Sequence, residues 1–217
     1  MEFINEYSQI RWKRNNTYTF FKRIIDICGS IIGIIIFSPL LLVVAIAIKL
    51  EEPSSPIIYS QWRMGKYSQK FRMYKFRSMY VNADERLQEI KQYNEKQNNI
   101  MFKMKNDPRV TKVGKVIRKL SLDELPQFFN VLKGEMSLVG PRPPLEHEVE
   151  QYDPFDVQRL LIKPGCTGLW QVTGRNNLTF KEMIKLDVYY IQKQSLIFDC
   201  YLIIKTIKVM FLPNDVY

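Results

Sequence analysis

Two adjacent carboxylates, Asp123 and Glu124, lie among basic residues in NDPRVTKVGKVIRKLSLDELPQFFNVLKGEMSLVGPRPP, from Asn106 to Pro144. A plain structural reading accounts for them. Ser121 and Glu124 form an S-x-x-E capping box, Leu120 and Leu125 a hydrophobic staple, and Asp123 complements the dipole of a helix's first turn. Three features point to chemistry instead. An Asp-Glu pair at a helix start is a hard-oxygen site for Mg²⁺, which takes one or two carboxylates plus substrate phosphates. Arg118 and Lys119 precede the pair, and Arg142 follows in Gly140-Pro141-Arg142-Pro143-Pro144. Pro141 and Pro143 leave that loop little freedom to lose, so it can hold a guanidinium for bidentate phosphate contact. Arg175, in the glycine-rich run PGCTGLWQVTGRNN, is a third candidate phosphate donor. Arginines around two carboxylates suit phosphoryl transfer, where positioning and charge stabilisation dominate. A carboxylate can also attack phosphorus itself and form an acyl phosphate.

Several classes are disfavoured by composition. The chain has 217 residues, 46% of them hydrophobic, enough for one packed domain and a membrane segment. Its formal charge of +10 calls for anionic partners, which nucleic acid, lipid headgroups and phosphorylated substrates all satisfy. Cys28, Cys166 and Cys200 are far apart and show no metal-ligand spacing. They argue against a disulfide framework and a zinc site, and for a reducing compartment. His147, in the polar run LEHEVEQY, reads as a solvated surface residue.

From Ile27 to Ile48 the chain carries no charge, long enough to span a bilayer. A spanning anchor is the simple reading. A signal peptide is disfavoured by the length of the run and by Ser38-Pro39 within it. A hairpin entering and leaving on one side fits equally well. Pro39 removes a backbone donor, and the Ser38 hydroxyl can satisfy the freed carbonyl. Each arm would hold about eleven residues, or ~16 Å, too short for a core of ~30 Å. Basic residues flank both sides, Lys22 and Arg23 before, Lys49 and Arg63 after, which suits two cytoplasmic flanks.

Elsewhere, Ile57 to Met79 alternates apolar and basic residues, as a strand pair turned at Gly65 or an irregular lipid-facing stretch. Ala83 to Gln97 reads as a solvated polar helix. The segment SLIFDCYLIIKTIKVMFL reads as a core helix or as one lying in the headgroup plane with Lys205 and Lys208 snorkelling.

Five motifs in order resemble one family: the membrane Ser38-Pro39, YKFRSM (Tyr74 to Met79), SLDELPQ (Ser121 to Gln127), SLVGPRP (Ser137 to Pro143) and PGCTGLWQVTGR (Pro164 to Arg175). The chain is similar to the bacterial sugar transferases, the monotopic phosphoglycosyl transferases, from about Phe20 to Phe211. The motif positions show no departure. Cys166 stands where the family often has a β-branched residue. The resemblance implies an α/β, mainly helical fold. A polar arm (1–19) would precede a re-entrant membrane helix-break-helix (20–50) and a cytosolic catalytic domain (51–217) with amphipathic interfacial helices. No large multi-spanning region precedes these parts, so the chain looks like the minimal catalytic unit.

It further implies a ping-pong reaction at the cytoplasmic face of the bacterial inner membrane. Asp123 attacks the β-phosphate of a UDP-sugar, releases UMP and holds a covalent phosphosugar. Undecaprenyl phosphate then accepts it. Glu124 assists and helps Asp123 bind Mg²⁺; Arg118, Arg142 and Arg175 contact phosphates or nucleotide; Lys75 is an auxiliary cation. The wording GLWQVTGR leans towards hexoses, glucose or galactose. Implied partners are the UDP-sugar, undecaprenyl phosphate and the lipid bilayer, without nucleic acid; a homo-oligomer is compatible. The rival class is a membrane-tethered basic protein binding nucleic acid or anionic lipid, which explains the charge and the aromatics near Lys and Arg. It leaves the acidic pair among arginines unexplained, and no helix-turn-helix or zinc-finger pattern supports it. A structural subunit of an envelope complex would need no Mg²⁺.

Overall fold

The chain is known from a computed structural model that describes residues 15–83, 85–86, 104, 107–174 and 178–211. The polar helix expected from Ala83 to Gln97 lies largely outside them. The first element, helix α1 (Asn16–Glu51), starts earlier than Phe20 because Asn15 caps it, its side chain accepting from Tyr18 N at 3.0 Å. At 36 residues, α1 is about 54 Å long. Among the described residues it is the one helix long and apolar enough to cross a membrane. Pro39 lies inside this single helical element, so the two separate arms expected on either side of Ser38-Pro39 are not seen. The local chemistry explains the continuity. Proline frees the carbonyl four residues back, that of Ile35, and Ser38 Oγ donates to it at 2.8 Å.

Strands β1 (Ile58–Met64) and β2 (Lys70–Phe76) pair antiparallel, with Trp62 opposite Arg72 and Tyr59 opposite Lys75. The turn from Gly65 to Gln69 uses positive φ at Tyr67 and Ser68. A strand pair turned at Gly65 is therefore the correct alternative. Helix α2 (Lys112–Lys119) follows, then a 3₁₀ turn (Leu122–Glu124) and helix α3 (Gln127–Lys133). Strand β3 (Ser137–Val139) lies parallel to β4 (Gly165–Thr167), with the short helix α4 (Glu146–Val149) and a 3₁₀ segment (Asp156–Leu161) in the crossover. A Cβ on Gly165 would sit 2.1 Å from Gly140 N, so only glycine lets these backbones meet. Helices α5 (Leu169–Thr173), α6 (Phe180–Lys193) and α7 (Leu196–Phe211) complete a mainly helical fold with two two-stranded sheets.

Both ends of α1 are built into this body. Arg23 donates to the carbonyls of Val131 and Leu132 at 2.6 and 2.8 Å, a cation on the C-terminus of α3. Lys22 pairs with Asp199 of α7 at 2.8 Å. Asp26 accepts from Ser137 Oγ and Leu138 N at the start of β3. At the far end, the Glu51 carboxylate accepts from Lys112 N and Val113 N, the first turn of α2. Between them, Val44 and Ile48 share a core with Phe76, Ile117, Leu122 and Leu125. The outward side of α1 shows Ile31, Ile32, Ile35, Ile36, Leu42 and Val43, all exposed. Helix α7 is divided in the same way: Asp199 and Leu202 are buried, while Ile197, Tyr201, Ile204 and Ile207 form an exposed apolar stripe. It is thus a core helix on one face only. His147 is exposed, as its surroundings implied.

Candidate active site

The turn bearing Asp123 is fixed by the leucines on either side of its acidic pair. Leu122 and Leu125 are both buried against α1 and Phe76, which holds Leu122–Glu124 on the core. The capping box does not form. Ser121 has φ 55° and ψ 22°, a left-handed conformation, and its side chain caps nothing. Glu124 turns to Lys75, whose Nζ lies 2.6 Å from its Oε1. Leu120 is exposed, so the staple with Leu125 is absent too. The physical reason lies in Pro126: it cannot donate a backbone hydrogen bond, and α3 starts only after it. The preceding residues are left to a 3₁₀ turn.

Asp123 is buried, with 8% of its surface exposed. Burial pushes its carboxyl up to about 6; Lys75 and Arg118 oppose the shift and Glu124 adds to it. Glu124 moves the other way. Its own burial would raise it, but Lys75, Arg142 and Arg63 together hold it below the usual glutamate range. Neighbouring carboxylates split in this way can take different roles: Glu124 is ionised and paired with a lysine, while Asp123 is poorly solvated.

The structure brings Lys75, Glu124 and Arg142 to the lining of one small pocket, together with Gln127, Cys166 and Gln171. Asp123 is the neighbour of Glu124 on the turn. Arg118 is exposed at the end of α2 and acts on Asp123 by charge. Pro141 and Pro143 are buried, and the Arg142 guanidinium makes no hydrogen bond or ion pair among the described residues. Arg175 lies outside the described residues. Cys166 is no rival nucleophile, because burial and the nearby Glu124 and Asp26 carboxylates push its thiol upwards and keep it protonated.

Sequence reasoning missed Arg63 and Gln127. Arg63 is buried, donates to Pro143 O at 3.2 Å and Gln61 Oε1 at 2.9 Å, and adds positive charge beside Glu124. Burial, the nearby Arg142 and opposing carboxylates leave it at about 10, still protonated at neutral pH. Its signal was strand alternation: Tyr59, Gln61 and Arg63 lie opposite Lys75, Met73 and Phe71 and share their face. Reading it requires the register, which the turn sets.

A buried carboxylate beside a lysine-bound glutamate and a free arginine is an arrangement that can serve phosphoryl transfer, and here it sits on a turn packed against a long apolar helix. The chain belongs to the bacterial sugar transferase family, whose model, described as "Bacterial sugar transferase", matches residues 17–213. It is 48% identical over 88% of its length to the galactosyl transferase CpsE of Streptococcus agalactiae serotype III, and spans 42% of that protein. It is 41% identical to the exopolysaccharide production protein ExoY of Rhizobium meliloti, covering 90% of this chain and 88% of ExoY. It is 42% identical over 99% of its length to an undecaprenyl-phosphate galactose phosphotransferase of Salmonella typhimurium, of which it spans 46%. The chain thus covers less than half of two of these relatives and most of the third.

Proposed function

We propose that this chain transfers a hexose 1-phosphate from a UDP-hexose to undecaprenyl phosphate through a covalent intermediate on Asp123. The observation that carries the reading is the split carboxylate pair, with Asp123 buried and raised and Glu124 held ionised by Lys75. In the first half-reaction an Asp123 carboxylate oxygen attacks the β-phosphorus. The bond from that phosphorus to the bridging oxygen breaks, and the oxygen leaves with its electron pair on UMP. In the second, a phosphate oxygen of the lipid attacks the same phosphorus and returns the carboxylate, leaving a diphosphate-linked sugar. Lys75 and Arg142 face the developing charge, and Arg118 approaches from the exposed side. Arg175 is a further phosphate contact in this reading. Galactose is the donor favoured by the printed names of CpsE and the Salmonella relative.

Mg²⁺ fits the donor set. Asp123 and Glu124 supply hard oxygens, and no group of three or more His, Cys, Asp or Glu forms a full cage among the described residues. Substrate phosphates and water would complete its shell. When bound, the ion would neutralise diphosphate charge.

The reading places the domain on the cytoplasmic face of the inner membrane, with α1 re-entrant. A helix crossing a ~30 Å bilayer core separates its ends, whereas Lys22, Arg23 and Glu51 all clasp one body. The exposed apolar sides of α1 and α7 would face lipid. Cysteines placed at Asn16 and Glu52 in a cysteine-free background should react with a membrane-impermeant thiol reagent only after the cytoplasmic face is opened. Labelling of one from each side refutes the re-entrant arrangement.

The functional test is UMP release from UDP-galactose, UDP-glucose and related donors by purified protein in detergent with Mg²⁺ and undecaprenyl phosphate. Lipid-dependent UMP from one donor, lost in Asp123→Asn, supports the assignment. Turnover retained in Asp123→Asn refutes the nucleophile. Mg²⁺-independent, salt-sensitive nucleic-acid binding that survives loss of both carboxylates would favour the binding-protein class instead.

A further inference from the structure

The loop that carries Arg142 is tied down at four consecutive carbonyls, each by a different donor. Pro141 O accepts from Gly165 N at 2.8 Å, Arg142 O from Arg159 Nη2 at 3.3 Å, Pro143 O from Arg63 Nη1 at 3.2 Å and Pro144 O from Met64 N at 2.9 Å. Two of the four donors are backbone amides that sheet and turn geometry would place there anyway. The other two are guanidiniums, and that of Arg159 belongs to a residue with 6% of its surface exposed.

Arg159 is an expensive way to satisfy one carbonyl. A buried guanidinium must be neutralised, and here Asp187 of α6 does it, 1% exposed and 2.5 Å from Nη2, with Tyr152 OH 3.0 Å from Nη1. Such a pair adds little net stability over apolar residues of the same size. What it adds is a fixed position. Its Nη2 holds both Asp187 Oδ2 and the carbonyl of Arg142. The backbone of Arg142 is thus referenced to α6, an element that contributes no residue to the pocket lining. Proline on both sides removes the remaining freedom.

We infer that Arg159, neutralised by Asp187, is a positioning residue: it holds the Arg142 backbone so that its free guanidinium is set for the diphosphate of the donor nucleotide. The inference rests on the proposed phosphate-binding role of Arg142. Misplacing that group should weaken diphosphate binding about tenfold or more, since small displacements of a positioned contact are costly.

The test is calorimetric binding of UDP, with Mg²⁺, to the full chain in detergent. The variants are Arg142→Ala, the apolar pair Arg159→Met/Asp187→Leu, and the triple combination. The apolar pair leaves no buried charge unpaired; should it fail to fold, Arg159→Lys replaces it, keeping the charge but not the planar fork. The expected result is weaker UDP binding in Arg142→Ala and in the pair variant, with the triple variant no weaker than Arg142→Ala alone. A purely structural role would not show this lack of additivity. Wild-type UDP affinity in a folded pair variant, or losses that multiply in the triple variant, overturns the inference and leaves the role of Arg142 intact. Unchanged binding in Arg142→Ala, or no binding by the wild-type protein, overturns that role and the inference with it.

Discussion

Replacing Asp123 with Asn should abolish turnover and make the protein more stable, and the gain should appear only as pH rises. The folded carboxyl titrates at about 6 against an ordinary 3.8. A group raised in the folded state binds its proton more tightly there than in the unfolded chain, so stability falls as pH climbs from about 4 to about 6, then levels off. About two units correspond to about 3 kcal/mol, and coupling to Glu124 and Lys75 makes about 1–3 kcal/mol the range to expect. For a chain of this size each kcal/mol moves the midpoint by about 2–4 °C. Asparagine carries no charge at any pH, so it escapes the loss. The assay is thermal unfolding of both proteins in detergent and EDTA at steps from pH 4.5 to 8. The midpoint of the Asn variant minus that of the wild type should grow with pH. Any fixed cost of a buried amide cancels in that comparison. Asp187, which burial also raises to about 6 despite Arg159, titrates alike in both proteins and cancels too. Parallel midpoint curves would refute the claim that the nucleophile is held at a cost to stability. In the active protein, uptake of a proton by the same carboxylate should cut the transfer rate at acid pH, and Mg²⁺ bound there would move that limb to lower pH than the titration seen in EDTA.

Lys75→Met removes the cation that lowers both carboxyls, so the acid limb of the rate profile should shift to higher pH and the rate fall at least about tenfold. An unmoved limb would remove Lys75 from the site. Glu51→Ala removes the acceptor for two first-turn amides of α2, which Thr111 still caps, and should lower the midpoint by about 2–4 °C, the equivalent of about 1 kcal/mol, with transfer kinetics unchanged. Gly114→Ala would place a Cβ 2.0 Å from Ser78 O. It should therefore lose about 1–3 kcal/mol in denaturation despite alanine's better helix propensity.

Much of the site was legible because its residues are close in sequence. Asp123 and Glu124 are neighbours, and Arg142 announces itself between prolines. Two of the residues that escaped notice owe their position to long-range pairing: Arg63 to the register of β1 on β2, Arg159 to α6; Gln127, close to Glu124 in the chain, was passed over because a neutral amide carries no signal of charge. The capping box failed because local propensity met two stronger constraints, the proline at 126 and a lysine arriving from β2. The long apolar segment was readable only in part. The Ser38 hydroxyl does satisfy the carbonyl that Pro39 frees, but the chain keeps its helix through the pair. Nothing in hydropathy could show that both flanks of α1 grip the same domain, since Arg23 and Glu51 find helix termini more than sixty residues away in the chain.

That grip gives α1 a part in the chemistry. Its second half, through Val44 and Ile48, forms the wall on which Leu122 and Leu125 seat the turn of Asp123. Its first half, through Asp26, holds Ser137 and Leu138 at the start of β3, the strand that runs into Gly140 and the Arg142 loop. The two halves of the candidate site, the Asp123 turn and the Arg142 loop, are thus referenced to one helix whose outer side is apolar. On the proposed function that apolar side would face lipid, with the Asp123 turn packed on the inner face of the same helix. In the proposed reaction the soluble nucleotide sugar would meet the arginine loop backed by α6. One helix, apolar on its outer side, therefore fixes how the two parts of the candidate site lie relative to each other.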